Sequence, residues 1–341
     1  MPRRPSPGRP PQEGRPPSGE LPWTASETEQ LHVYADAIQA LRPKVEHGTA
    51  TNEEGKRFAE AVFALQRALE EKQRSVEHGP LLQEARDILG ADNVFGPEAI
   101  KTTWDRDLAP HEIPPLPYTR EQLEGAKRMN MMLVLHIDRD AQGNPLTGKR
   151  MNEIVQPKLT AAGKGKLLYD TDRYAQEPFY TTATSKPEWT LVTRDILPNS
   201  TYLDYADQTK LLRDTLSAQL GLTQAEKDAI AEADDATLAR LKQDASSNDE
   251  SIWKPAAQAL AALKVNQNHR RSLPDALFDQ ATLLETQDAR LFNGQALYDW
   301  TNDQVSDGYL VHVGSANSGG VSVNRWDPKD RSGDMGVSFS R

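Results

Sequence analysis

Trp300-Thr301-Asn302-Asp303, Asp307-Gly308-Tyr309-Leu310-Val311-His312-Val313-Gly314, Gly320-Val321-Ser322-Val323-Asn324-Arg325-Trp326 and Gly336-Val337-Ser338-Phe339-Ser340-Arg341 follow one another at the end of the chain. Their β-prone runs (Tyr309–Val313, Val321–Asn324, Gly336–Ser340) are separated by Gly, Asn, Asp and Ser clusters, which predicts a compact antiparallel arrangement with tight turns. Successive side chains of a strand point to opposite faces. Leu310, Val311, Val313, Val321, Val323, Val337 and Phe339 can therefore supply a small core. Tyr309, His312, Ser322, Asn324 and the polar loop Asp327–Asp334 are left to face outward. Such a face mixes rigid aromatics with adaptable hydrogen-bonding groups, as binding surfaces do. An ordinary polar sheet face has the same composition.

Upstream of this module the pattern is helical. A stretch from about Tyr202 to Leu284 carries stripes such as Leu212, Leu216, Leu220 and Trp253, Leu260, Leu263. Before it come a strand at Trp189–Thr193, a helix at Gly148–Leu159, a turn at Asn144-Pro145, the strand Met131–Asp138 and a short helix at Thr119–Met129. Residues 106–117, with four prolines between Leu108 and Pro117, mark a boundary. The region 23–105 ahead of it is helical. Thr24 or Ser26 caps a helix bearing Leu31, Tyr34, Ile38 and Leu41, Pro43 stops it, and a second helix from about Asn52 aligns Phe58, Val62, Leu65 and Leu69. Two such helices make an αα-hairpin, able to pack on the body or on a partner subunit. Residues 1–22 hold almost nothing to bury and cannot offset the ordering cost of about 1–2 kcal/mol per residue, so they read as a disordered Pro-rich tail. Its PxxP spacings are outweighed by the plainer role of a solubilising leader.

Composition removes several classes of function. The 341 residues carry a formal charge of -10, where a general nucleic-acid binder needs a basic surface. No cysteine is present, so disulfides, thiolate chemistry and cysteine-held zinc or iron–sulfur sites are out. The longest apolar run, Met131 to Ile137, is too short to span a bilayer, and the N-terminus lacks an apolar stretch behind its arginines. A cytoplasmic location, no membrane and no cofactor are expected.

Local motifs of catalysis are weak. Asp138-Arg139-Asp140-Ala141-Gln142-Gly143 imitates a calcium loop but puts Lys149 where the twelfth-position carboxylate belongs, so a strand-ending turn is expected. Gly163-Lys164-Gly165-Lys166 lacks the rest of a phosphate loop. No two of the seven histidines lie three or four residues apart, and no G-x-S-x-G elbow occurs. Asp170, Asp172 and Asp195 are the carboxylates an enzyme would use with a metal; a solvated polar loop is the simpler reading of Asp170-Thr171-Asp172.

Residues 297–341 resemble the end of a C-type-lectin-like domain of the formylglycine-generating-enzyme subclass, in which a tryptophan strand, a Gly/Ser/Asn-rich hairpin and a final G-V-x-x-S-R strand complete the module. From Tyr118 onward the chain is similar to proteins of bacterial candidate phyla, through Tyr118–Glu121, Leu133–Asp138, Lys166–Asp172, Glu188–Val192 and Pro198–Thr201. The closing pattern is similar to variable proteins of diversity-generating retroelements. That resemblance implies a non-enzymatic protein binding a protein or other macromolecule through diversified side chains. The displayed residues would be Tyr309, His312, Ser315, Asn317, Ser322, Asn324, Asp327, Lys329, Asp330 and Arg331, with Trp326 as scaffold. Thr301 interrupts the Trp-Asn-Asp triplet of calcium-dependent lectins, and the cysteines of formylglycine-generating enzymes are missing, so neither activity carries over. The expected fold is α+β: an N-terminal helical hairpin, then a C-type-lectin-like domain at 118–341 with a large helical portion and a small antiparallel C-terminal sheet. A structural or assembly protein, oligomerising through its N-terminal helices, is the alternative.

Overall fold

The computed structural model describes residues 24–341, apart from the side chains at 70–78 and 293. The expected tail at 1–22 and Trp23 lie outside the described residues. The chain divides into two units, Met1–Pro80 and Leu81–Arg341.

In the first unit, helix α1 (Ala25–Glu46) starts at a capping box, Thr24 Oγ1 accepting the Glu27 amide while Glu27 accepts that of Thr24. Pro43 does not stop it. The ring removes one amide donor within a turn of the end, where its own carbonyl still accepts from His47. Helix α2 (Asn52–Leu89) follows a short loop closed by Lys44 Nζ to Glu54 at 2.6 Å. Leu31, Tyr34, Ile38, Leu41, Phe58 and Leu65 are half-buried, but Val62 and Leu69 of the expected stripe are exposed, and Ala61 takes the buried place on α2.

The second unit mixes helices with two sheets. In the first sheet β2 (Met131–Leu135) is central and wholly buried, parallel to β1 (Val94–Phe95) and antiparallel to β3 (Trp189–Thr193). Its unbroken run Met-Met-Leu-Val-Leu suits a strand covered on both faces. In the second sheet β4 (Tyr298–Gln304), β5 (Leu310–Asn317) and β6 (Gly320–Trp326) form an antiparallel meander, and β7 (Met335–Gly336) adds to β4 in parallel. The sheet is therefore not purely antiparallel. The parallel contact arises because the chain is on its way to the first sheet: Leu191 and Arg341 exchange both backbone bonds, and Thr193 donates to the Phe339 carbonyl. Residues 335–341 thus stitch one sheet to the other.

Helices fill the rest. Short helix α3 (Pro97–Trp104) precedes α4 (Arg120–Arg128) and α5 (Gly148–Ala161), and the single turn α6 (Pro178–Thr181) precedes β3. Then come α7 (Tyr205–Ser217), α8 (Gln224–Glu232), α9 (Asp235–Ala245), α10 (Glu250–Ala262), α11 (Lys264–His269) and α12 (Leu273–Gln287). Asp204, Thr223, Asp234, Asp249 and Ser272 cap five of these, each side chain accepting a first-turn amide. Helix α12 is buried from Leu273 to Leu284 except at Asp275, and its Phe278 lies 4.9 Å from both Trp104 and His136.

The proline-rich stretch 106–117 is not where the chain divides. Trp104 and Phe95 ahead of it are buried in the main core, and Trp189 Nε1 donates to the Pro114 carbonyl, 2.9 Å away. Proline rigidity marks a surface strap here. Among the described residues no helix is long and apolar enough to cross a membrane.

Candidate functional site

Of the ten residues expected on display, one points inward. The His312 ring is 2% exposed, set edge-on against Tyr298 at 5.1 Å and Trp300 at 5.5 Å, with Trp326 at 5.1 Å. The alternation that sets Val311 and Val313 on one face puts His312 on the other, but that face is covered too: Tyr205 of α7 packs on Trp300. Neither ring nitrogen of His312 has a hydrogen-bond partner, and burial pulls its pKa down to about 3. It is a neutral core residue whose edges meet aromatic faces.

The other nine do not share one surface. Ser322 and Asn324 line a hollow of about 130 Å³ with Tyr169, Asp170 and Arg173. Ser315 and exposed Asn317 stand by the β5–β6 turn. Tyr309 packs on Trp253 at 5.0 Å, under Arg325. The loop residues serve the structure: Arg331 pairs with Asp204 and Asp207 of the α7 end, Lys329 reaches Asn248, and Asp330 accepts the Asp327 amide. Trp326 is half-buried against the core, as a scaffold residue should be.

A larger space lies beneath the final strand. A cavity of about 560 Å³ is bounded by β3, the α11–α12 junction, the end of β4 and residues 340–341. One wall is a buried charged chain. His136 Nε2 meets Asp279 Oδ1 at 3.0 Å, Arg271 Nε meets Asp279 Oδ2 at 3.1 Å, and Arg271 Nη1 lies 3.6 Å from Asp299. All four residues are at most 4% exposed. Burial works to lower the His136 pKa, but the hydrogen bond and charge of Asp279 outweigh it and the pKa is raised. Asp299, also bound by the Ser338 amide and hydroxyl, is pushed up by burial. Arg270 is turned away, stacked 3.9 Å over Tyr205 and donating to Asn266, Gln208 and the Tyr205 carbonyl.

The opposite end is closed by Arg341. Its guanidinium binds Glu226 at 2.6 Å and the carbonyls of Leu220 and Gly221, while Tyr118 donates to its backbone carbonyl. Between the two ends, His269 Nδ1 faces the Ser340 carbonyl at 2.8 Å. A carbonyl only accepts, so Nδ1 carries the proton and Nε2, which has no partner, is left as a bare acceptor. Asp303 accepts the Leu273 amide at the start of α12; burial drives its carboxyl up to about 7, with the neighbouring Asp275 adding to the rise.

No local motif marks this geometry, because the walls come from seven separate stretches between Pro117 and Arg341. Two local signals pointed at it. The run His269-Arg270-Arg271-Ser272 sets three basic side chains at a helix junction, and Asp279 sits inside a helix that is buried from Leu273 to Leu284 except at Asp275. The Asp138–Gly143 segment is the expected turn, Asp140 accepting the amides of Gln142 and Asn144. Asp170 likewise accepts the Asp172 amide. Among the described residues no three His, Asp or Glu are grouped to hold a metal ion. No protein-family model, curated protein or solved structure matches the chain.

Proposed function

We propose that the chain is a non-enzymatic ligand-binding protein, and that a small polar ligand is taken up in the cavity beneath the carboxyl-terminal strand. The cavity itself carries this reading: about 560 Å³ lies within the ~300–1,000 Å³ usual for ligand sites, and its walls are already held in place. Charged groups at 4% exposure or less are costly to bury unpaired, and here Asp279 lies against His136 and Arg271 while Asp299 is bound by Ser338. The lectin-like resemblance is supported by the adjacency of the Trp300 strand, the β5–β6 hairpin and Met335-Gly336 at the start of the closing segment in one sheet. Asn302, Asp303, Ser340 and Arg341 of the terminal segment line the cavity, so changes at Asn302 or Asp303 would retune the ligand while Trp300 and the valines kept the fold. The lack of cysteine suits a reducing cytoplasm.

Thr190→Trp tests the reading by filling the space from β3. A panel of small polar metabolites, screened by thermal shift, should contain compounds that raise the melting temperature of the wild-type chain and leave that of Thr190→Trp unmoved. Equal shifts in both proteins, or no shift from any compound, would refute it.

The helical unit favours a second role alongside. Val33 is 61% exposed, Phe63 72% and Leu69 51%, more apolar surface than a lone hairpin profits from leaving in water. Assembly through these helices predicts that Phe63→Glu lowers the sedimentation coefficient of the full chain; an unchanged value removes this role.

A further inference from the structure

We infer that the cavity selects small organic cations carrying several N–H donors, an ammonium or guanidinium group, through acceptors that the fold leaves unspent. The inference rests on the binding reading above and names its ligand class.

The walls contain both signs of charge, so the question is which groups still have bonding capacity. Five carboxylates and four Lys or Arg residues line the space. The arginines are paired within the protein. Arg341 is spread over Glu226 and two carbonyls; Arg270 is spent on α7 and Asn266; Arg271 donates Nη2 to the Thr193 carbonyl and is balanced in charge by Asp279 and Asp299, its buried Nε and Nη1 making no hydrogen bond. Lys186 and Glu188 both stand exposed on one loop at the rim.

The acceptors are in the opposite condition. Asp303 accepts the Leu273 amide and Asp275 accepts the amide and hydroxyl of the Ser272 cap, yet neither has a cationic partner among the described residues. His269, 4% exposed, lines this space with a ring whose proton-free Nε2 is buried and has no hydrogen-bond partner. Asn302 spends its amide N–H groups on the carbonyls of Gln267 and Arg270, and Gln267 spends its own on the Ala261 carbonyl. Both amide oxygens therefore remain acceptors. Two carboxylates and two amide oxygens make a donor-seeking site. An anion would meet Asp275 and Asp303, neither of them offset by an ion pair among the described residues. A cation without N–H groups would leave the amide oxygens unbonded, which costs affinity.

Calorimetric titration of the full chain tests this. The probes are agmatine, putrescine, tetramethylammonium, glutarate and a peptide carrying one arginine with blocked termini. Agmatine or putrescine should bind saturably, with tetramethylammonium and glutarate silent. Asp303→Asn should weaken that binding about tenfold or more, a loss of roughly 1.4 kcal/mol. Asp275→Asn, which keeps an acceptor for the helix cap, serves if Asp303→Asn melts early. Binding of the peptide would place the cation on a protein side chain, and its silence beside agmatine binding would place it on a free amine; either supports the ligand class. If glutarate binds and the amines do not, the cavity is a site but the class is wrong. If every probe is silent yet the metabolite panel yields cavity-dependent hits, only this inference falls; silence in both removes the function as well.

Discussion

Replacing His312 by glutamine or leucine should flatten part of the acid-induced loss of stability. In the folded chain the imidazole is buried among Tyr298, Trp300 and Trp326, with a pKa of about 3, against about 6.5 for a free histidine. A depressed histidine pKa means that the unfolded chain binds the proton first. Stability is therefore intact above about pH 6.5 and falls as pH drops toward 3, at roughly 1.4 kcal/mol per unit. Between about pH 6.5 and 4.5 the wild-type chain should lose on the order of 3 kcal/mol that His312→Gln and His312→Leu do not lose. Urea unfolding of all three chains at several pH values measures this directly, and other titrating groups cancel in the difference. The variants differ in absolute stability, since glutamine brings amide groups into an aromatic surround, so the change of the difference with pH is the quantity to read. Parallel curves for wild type and variants would mean that His312 ionises as freely in the folded chain as in water, and its assignment to the core would be wrong.

Three further outcomes are expected. Gly314→Ala should prevent stable folding, because a Cβ there would stand 2.1 Å from the Leu297 carbonyl and 2.5 Å from the Tyr298 Cα, backbone that cannot swing aside; near-wild-type circular dichroism and melting would contradict the β4–β5 register. Phe278→Ala should cost about 3–5 kcal/mol in urea unfolding, since it removes the ring lying 4.9 Å from both Trp104 and His136. Asp303→Asn should gain stability relative to wild type as pH rises. The carboxyl pKa, about 7 in the fold, is raised above its unfolded value, so its contribution is complete at low pH and is lost on passing 7; a thermal-shift difference that stays flat from acid to alkaline pH would refute its burial.

What the sequence disclosed follows the reach of each signal. The run Met131–Leu135 and the β-branched Trp189–Thr193 declare strands, and Thr24 and Thr119 declare helix starts, because caps and periodicity act over a few residues. His312 was misplaced for the same reason. Alternation tells which face a side chain is on and nothing about whether a distant helix, here α7 with Tyr205, covers that face. Pro43 was read as a stop, though a proline near the last turn removes only one amide bond. The proline-rich strap 106–117 has the composition of a boundary, though the Pro114 carbonyl is tied to Trp189 of β3.

The cavity was missed because its chemistry depends on pairings across the chain, yet one residue could have flagged it. Asp279 occupies the middle of α12 among Leu277, Phe278, Ala281 and Leu283, where an unpaired carboxylate is untenable. Such a position demands cations from elsewhere, and the adjacent His269-Arg270-Arg271 run was the nearest supply. Arg271 meets that demand directly, and His136 arrives from β2. Arg271 is committed in charge to Asp279 and Asp299, and among the described residues no ion pair joins it to Asp275 or Asp303 at the start of the same helix. The pairing that holds the core together thus leaves those two carboxyl groups at the cavity wall without a cation.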